Sequence, residues 1–213
     1  MILAIDTATR WTGLALHDGV SVVAELGWRA HNTQTVELIP AVSEMLRKAG
    51  VSAEELAGIA VALGPGSYTG LRIGLGAAKG LALANRTPLF GVPTLDIVAA
   101  SVSRGQVYGR LLAVIEAGRS RISVAPYGWE KQGWVALADP QNYKWEELIA
   151  AVDEPVTFVG ELSVEAMKLI RGAKDCRLLS PAGVDLGAEA VVGVLRVLAE
   201  EAQRDAAAEA TVV

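Results

Sequence analysis

The 213-residue chain predicts an α/β fold in two units, residues 1–103 and 104–213, each a mixed sheet flanked by helices. Three observations predict it. Ile2 to Leu26 reads as three short strands in an antiparallel meander. A β-branched apolar run, Ile59 to Leu63, breaks at Gly64-Pro65-Gly66 and gives way to a long helical stretch. After Ser103 the same order returns, a meander and then helix–strand–helix. This is an echo of element order, without a visible sequence repeat.

Each element has a local reason. Ile2–Ile5 is a strand that ends at Asp6, and Asp6-Thr7-Ala8-Thr9 is a turn. Thr12–Leu16 and Val20–Leu26 are strands around an Asp18-Gly19 hairpin turn. A helix follows His31-Asn32-Thr33, with Leu38, Ile39, Val42, Met45, Leu46 and Ala49 on one stripe. Gly50 ends it in the position after the last helical residue. Pro40 lies inside and marks either a kink or the true start. Ser52 and Glu55 form a capping box for a short helix. Ile59–Leu63 is a buried strand, Thr69 is the expected N-cap of the next helix, and Gly70 to about Ala84 is that helix. Pro88–Val92 is another buried strand, and Thr94 caps a helix to about Val102. In the second unit, Leu111–Ile115, Arg121–Ala125 and a stretch within Gly128–Ala136 read as strands, with Asp139-Pro140 as a break. A helix from Tyr143 to Val152, a strand Val156–Val159, a helix from Ser163 to about Ile170 and a last helix from Asp185 through Val191, Val192, Leu195 and Leu198 complete the chain.

Composition excludes several classes. Hydrophobic residues make up 52% of the chain, enough for a sizeable core. No apolar run approaches the roughly 18 residues that cross a bilayer. The N-terminus lacks a basic flank and meets Asp6 too soon for a signal peptide. One cysteine, Cys176, offers neither an internal disulfide nor a zinc cluster. A cytoplasmic protein that avoids the membrane is expected. A net charge of −5, without a basic block, argues against a tight direct grip on nucleic acid by this chain alone.

The stretch Gly64–Lys79 carries the densest pattern. Its glycine-rich strand-to-helix turn fits an anion cradle at a helix N-terminus, but spacing alone favours a tight turn whose glycines serve packing. It is not a P-loop, because Leu71-Arg72 follows Gly70 where Lys-Ser or Lys-Thr is needed. The helix itself is nearly all apolar or small. Gly70, Gly74, Ala77 and Leu81 share one face, and Gly76, Gly80 and Ala84 a neighbouring one. Each glycine costs roughly 1 kcal/mol of helix propensity against alanine, so close approach of another backbone is expected to offset it. Two histidines and one cysteine support no Ser-His-Asp or Cys-His pairing. His17, beside Asp18, is expected to face solvent, and Trp11, Trp28 and Tyr68 to pack in the core or at its rim.

The opening strand, the Asp6-Thr7-Ala8-Thr9 turn and the two β/α segments resemble the ATPase fold class of actin, hexokinase and the heat-shock chaperones (ASKHA), whose subdomains are RNase H-like. More narrowly, Ile2–Thr7, His31, Leu38-Ile39-Pro40 and Gly64–Gly74 resemble the bacterial TsaB (YeaZ) family. The resemblance is dense from Met1 to about Leu95 and weak beyond. It implies a role in making threonylcarbamoyladenosine (t6A) in tRNA, next to the anticodon. There TsaB is the non-catalytic partner of its catalytic paralogue TsaD, TsaE joins them, and TsaC supplies threonylcarbamoyl-adenylate.

The resemblance also implies roles for residues. Asp6, Thr7 and Thr9 match the first phosphate loop of the fold class, where a carboxylate and hydroxyls meet a magnesium-bound phosphate; the other reading is an Asx or Thr turn that ends the strand. The second phosphate loop would fall near Glu116-Ala117-Gly118-Arg119 and the adenosine loop at Gly160-Glu161-Leu162, and neither has the expected glycines or Asp. The Asp6 loop is then vestigial, with no catalytic residue, no metal and no cofactor of the chain's own. ATP, ADP and magnesium would bind only in the multi-subunit complex. TsaD-like enzymes carry two metal-binding histidines four apart; here the second place, after His31, is Thr35. The partner interface is expected at Leu38, Val42, Met45, Ala49, Gly70, Arg72, Ile73, Gly74, Ala77 and Leu81. These would meet a TsaD-like subunit or, without it, a second copy in a homodimer, with a TsaE-like ATPase joining and tRNA touched at most indirectly. The alternative is a small ATP-dependent phosphotransferase or hydrolase of the ASKHA fold. A peptidase lacks a nucleophile–base pair.

Overall fold

A computed structural model describes residues 1–30, 33–118, 121–131 and 133–179. The expected last helix from Asp185 and the His31 position lie outside these residues. The first sheet contains β1 (Ile2–Asp6), β2 (Trp11–His17), β3 (Val22–Arg29), β4 (Gly58–Gly64) and β5 (Leu89–Pro93), in the order β3-β2-β1-β4-β5. The second contains β6 (Arg110–Gly118), β7 (Arg121–Glu130), β8 (Gly133–Ala136), β10 (Val156–Gly160) and β11 (Cys176–Leu178), in the order β8-β7-β6-β10-β11, while β9 (Gln141–Tyr143) pairs with β7. The two sheets share one topology. In each, the first three strands are antiparallel and the last two join in parallel. The echo in the sequence is thus a repeated mixed sheet, the architecture expected of the fold class.

Helices α1 (Gln34–Ala49) and α2 (Tyr68–Asn85) cover one face of the first sheet. Leu38, Val42, Met45 and Leu46 of α1 join Leu3, Ile5, Leu14, Leu16, Ile59 and Val61 in its core. α1 runs through Pro40 and ends on Gly50 at φ 68°, a left-handed conformation that glycine adopts without a Cβ clash. Helix α3 (Thr94–Ala100) lies between the sheets. Its Ile97 packs with Ala4, Ala15, Ala60 and Ala62 of the first sheet, while Leu95, Val98 and Ala99 pack with Leu111, Ala113, Ile115 and Val159 of the second. The alanines let the helix sit close to the first sheet. Helices α4 (Trp145–Ala150) and α5 (Val164–Gly172) cover the outer face of the second sheet around Phe158.

Several expectations need correction. The N-cap of α2 is Ser67, whose Oγ accepts the Gly70 N–H at 3.2 Å; Thr69 lies inside the first turn. Thr94 is the first residue of α3, and its Oγ1 accepts the Gly64 N–H at 3.1 Å, so it caps the end of β4. β5 is an edge strand and only half-buried, and β3 starts at Val22 and runs on to Arg29. Tyr143 closes a short strand that sequence did not reveal, and the helix begins at Trp145. His17 is buried: its Nδ1 accepts the Gly19 N–H at 2.9 Å while Nε2 has no partner among the described residues. Trp11 and Tyr68 are exposed, and Trp28 is half-buried with its Nε1 donating to Glu37.

Candidate functional site

Two regions hold the residues singled out in the sequence. The first is a cleft between the sheets. Five segments meet there: Ala8–Arg10, Gln34 and Ser67 from the first unit, and Glu116 with Gly118, and Glu161, from the second, around a cavity of about 250 Å³. The fold therefore brings the three nucleotide-loop positions together, as the shared topology requires.

Much of the hydrogen bonding of the first of these loops is spent within the chain. The loop after β1 is folded back onto its own chain. The Ala8 N–H donates to Asp6 Oδ1 at 2.8 Å, and the Thr7 hydroxyl donates to the Gly70 carbonyl at 2.8 Å. The Thr9 hydroxyl is engaged with the backbone of Trp11, and the Arg10 N–H donates to Glu161 at 3.2 Å. The Ser67 N–H donates to the Ala8 carbonyl at 2.7 Å. The Thr7 and Thr9 hydroxyls and the Ala8, Arg10 and Ser67 amides are thus bonded within the chain.

The cleft is lined by two carboxylates, Glu116 and Glu161, both from the second unit. Asp6 is buried, and burial pushes its carboxyl up to about 6, against the opposing pull of the Ala8 N–H; the negative Glu161 adds to the rise. Burial likewise raises the Glu161 carboxyl, and neighbouring Glu116 contributes. Arg10 is the balancing charge: its Nη2 lies 2.7 Å from Glu116 and its Nε 3.5 Å from Glu161. Sequence reading passed over Arg10, because its partners stand 106 and 151 residues away. Among the described residues, no group of three or more His, Cys, Asp or Glu side chains is placed to hold a metal.

The second region is the α1–α2 pair. The structure brings the two helices together but turns the expected interface residues differently. Leu38, Val42 and Met45 are 1%, 2% and 5% exposed and belong to the chain's own core. Ala49, Ile73, Ala77 and Leu81 are half-buried against that core. Gly70 and Gly74 face inward. A Cβ on Gly70 would sit 2.1 Å from the Thr7 carbonyl, and one on Gly74 2.2 Å from the Thr7 hydroxyl. What these two glycines admit is the chain's own first loop, the Thr7 backbone at Gly70 and the Thr7 side chain at Gly74. Their assignment to a partner surface is therefore corrected, as is that of Leu38, Val42 and Met45: the sheet beneath consumes the apolar stripe.

What faces outward is a different set. A Cβ on Gly76 or Gly80 would meet nothing within 4 Å. Leu83 is 84% exposed, and Val36 and Ile39 of α1 are 70% and 48% exposed. Arg72 is also exposed, with its Nη1 donating to the Tyr68 hydroxyl at 3.1 Å and its guanidinium 5.3 Å from the Tyr68 ring centroid. Ile39, expected on the stripe with Leu38 and Val42, instead lies on the outward side of α1 with Val36 three residues before it, a spacing that was the available signal. No described helix is long and apolar enough to cross a membrane.

Comparison with known proteins places the chain. Residues 19–211 match the model of the TsaD family, tRNA N6-adenosine threonylcarbamoyltransferase. The tRNA threonylcarbamoyladenosine biosynthesis protein TsaB of Escherichia coli is 40% identical over 134 residues, 62% of this chain and 57% of that protein. The Bacillus subtilis TsaB is 33% identical over 163 residues, 75% of this chain and 70% of that protein. YeaZ from Pseudomonas aeruginosa superposes with a TM-score of 0.76 at 24% identity, covering 91% of this chain and 89% of that one. The matched part thus spans little more than half of the Escherichia coli relative's length. With its repeated mixed sheets and its Gly64–Gly74 turn, the chain belongs to the TsaB (YeaZ) family.

Proposed function

We propose that the chain is a non-catalytic scaffold and activating subunit in tRNA threonylcarbamoyladenosine biosynthesis. It pairs with a TsaD-like catalytic subunit, and a TsaE-like ATPase joins the pair. The pathway is taken from the names of its relatives. The observation that carries the non-catalytic role is the first loop, whose Thr7 and Thr9 hydroxyls and Ala8 and Arg10 amides are all bonded within the chain, in a cleft lined by carboxylates. A phosphotransferase or hydrolase of this fold would need those donors free. The chain then holds no cofactor of its own, and ATP, ADP and magnesium bind only where a partner completes a site. With a net charge of −5 it meets tRNA at most through its partner, in the cytoplasm.

The association surface is the outward strip of Val36, Ile39, Gly76, Gly80 and Leu83. Small residues on α2 let a partner helix approach to the close end of the roughly 8–10 Å range. The same strip serves a homodimer when the catalytic subunit is absent. Leu83→Glu tests this, because Leu83 is too exposed to support the core. The variant is expected to keep a native circular dichroism spectrum, lose co-sedimentation with the TsaD-like subunit and, alone, run at monomer mass. Unchanged affinity in a folded Leu83→Glu protein would overturn the assigned surface.

A further inference from the structure

We propose that Arg10 is a built-in latch that holds the cleft between the two sheets shut. It stands on the first unit and reaches the second at two points. Its side chain meets Glu116 at the end of β6, and both its side chain and its backbone N–H meet Glu161 just after β10. One cation thus ties the first unit to two neighbouring strand ends of the second, where β6 and β10 pair side by side.

The turn that carries Arg10 is fixed before the side chain reaches out. The Ala30 N–H donates to the Arg10 carbonyl at 2.9 Å, Asp6 holds the Ala8 N–H, and Thr7 is tied to α2. A pre-placed arginine loses less freedom on pairing than one on a mobile loop, and a cation shared by two carboxylates is ordered once for two contacts. Removing the arginine would leave Glu116 and Glu161, both of the second unit, lining the cleft with the buried Asp6 carboxyl of the first unit near enough to feel Glu161, and with no arginine to bridge the units at this point. Like charges at this range repel. The latch supplies the attraction that ties the first-unit turn to the acidic edge of the second unit, and its release opens the mouth of the cleft.

The test is a distance across the mouth. Thr69 and Val164 are exposed in the first turns of α2 and α5, which follow the Ser67 and Glu161 loops. Cys176 is the sole cysteine, so Cys176→Ser with Thr69→Cys and Val164→Cys gives a doubly spin-labelled full-length chain. Pulsed electron resonance should give one narrow distance in this background. Arg10→Glu should give a longer and broader distribution with an unchanged circular dichroism spectrum. Adding Glu116→Arg returns a cation between Glu161 and the new acid and should restore the short, narrow distance. If Arg10→Glu leaves the distribution as it was, the latch does not exist. If it widens and the charge swap fails to restore it, the opening does not come from this pairing, and the proposal falls equally.

Discussion

Asp6 works against the stability of the fold at neutral pH. Its ordinary value is 3.8, and in the folded chain burial carries it to about 6. A raised carboxyl contributes stability below its unfolded value, and that contribution is lost as pH rises through the folded one. The shift corresponds to about 3 kcal/mol at most by the usual conversion. Asp6→Asn keeps the acceptor for the Ala8 N–H and removes the charge. It is expected to raise the melting temperature at pH 8 and to have little effect at pH 4, as read by thermal denaturation at the two values. Equal gains at both would show that charge is not the cause. None of this was legible in the sequence. The Asp6-Thr7-Ala8-Thr9 turn fixed a polar loop after a strand, but the surroundings of Asp6 include Glu161, which the second sheet brings from far along the chain. His17 is the parallel case: beside Asp18 it reads as a surface residue, yet it is 1% exposed.

At the scale of the element, α2 separates its glycines by sign. Gly70 and Gly74 lie where a Cβ would run into Thr7, whereas Gly76 and Gly80 look into open space. Gly74→Ala is expected to cost about 1–3 kcal/mol, because the first loop must move. Gly76→Ala and Gly80→Ala each remove a helix penalty and are expected to gain up to about 1 kcal/mol. Urea denaturation of the isolated chain distinguishes them; a Gly74→Ala protein as stable as the parent would mean that the Thr7 contact is dispensable. Local signals had placed this helix well. Gly64 to Gly66 ended the strand, and Ser67 stood two residues before the predicted cap. Periodicity showed which residues share a face; it did not show which face meets the sheet, because both are made of small residues. The Ser52–Glu55 box and Gly50 needed no such context, and both formed as read. β9 and β11 had no signal of their own: each is three residues long and owes its conformation to pairing with β7 or β10.

For the whole molecule, α3 decides whether the two units act separately. It supplies Ile97 to one core and Leu95, Val98 and Ala99 to the other, and Asp96 accepts a hydrogen bond from the hydroxyl of the buried Tyr127 at 2.5 Å. Two sheets that share a helix in this way should unfold together. Leu95→Ala removes a side chain that is 1% exposed and is expected to cost about 2–5 kcal/mol. Denaturation followed by hydrogen exchange should then show lowered protection in β1 and β4 as well as in β6 and β10. A loss confined to the second sheet would show that the units are independent. The repeated order of strands was visible in sequence only as an echo, since a helix between two sheets carries no label saying that it belongs to both.

The placement of α3 also bears on how the chain leaves the ribosome. The first sheet can assemble once β5 has been made, but the second side of α3 is covered by residues from Leu111 to Val159. During that interval Leu95, Val98, Ala99 and Val102 face water with nothing of their own chain to meet them. Transiently bare apolar surface of this kind is where nascent chains aggregate or recruit chaperones. Translation speed between β5 and β10, which has no bearing on the finished molecule, therefore sets how long that surface stays bare.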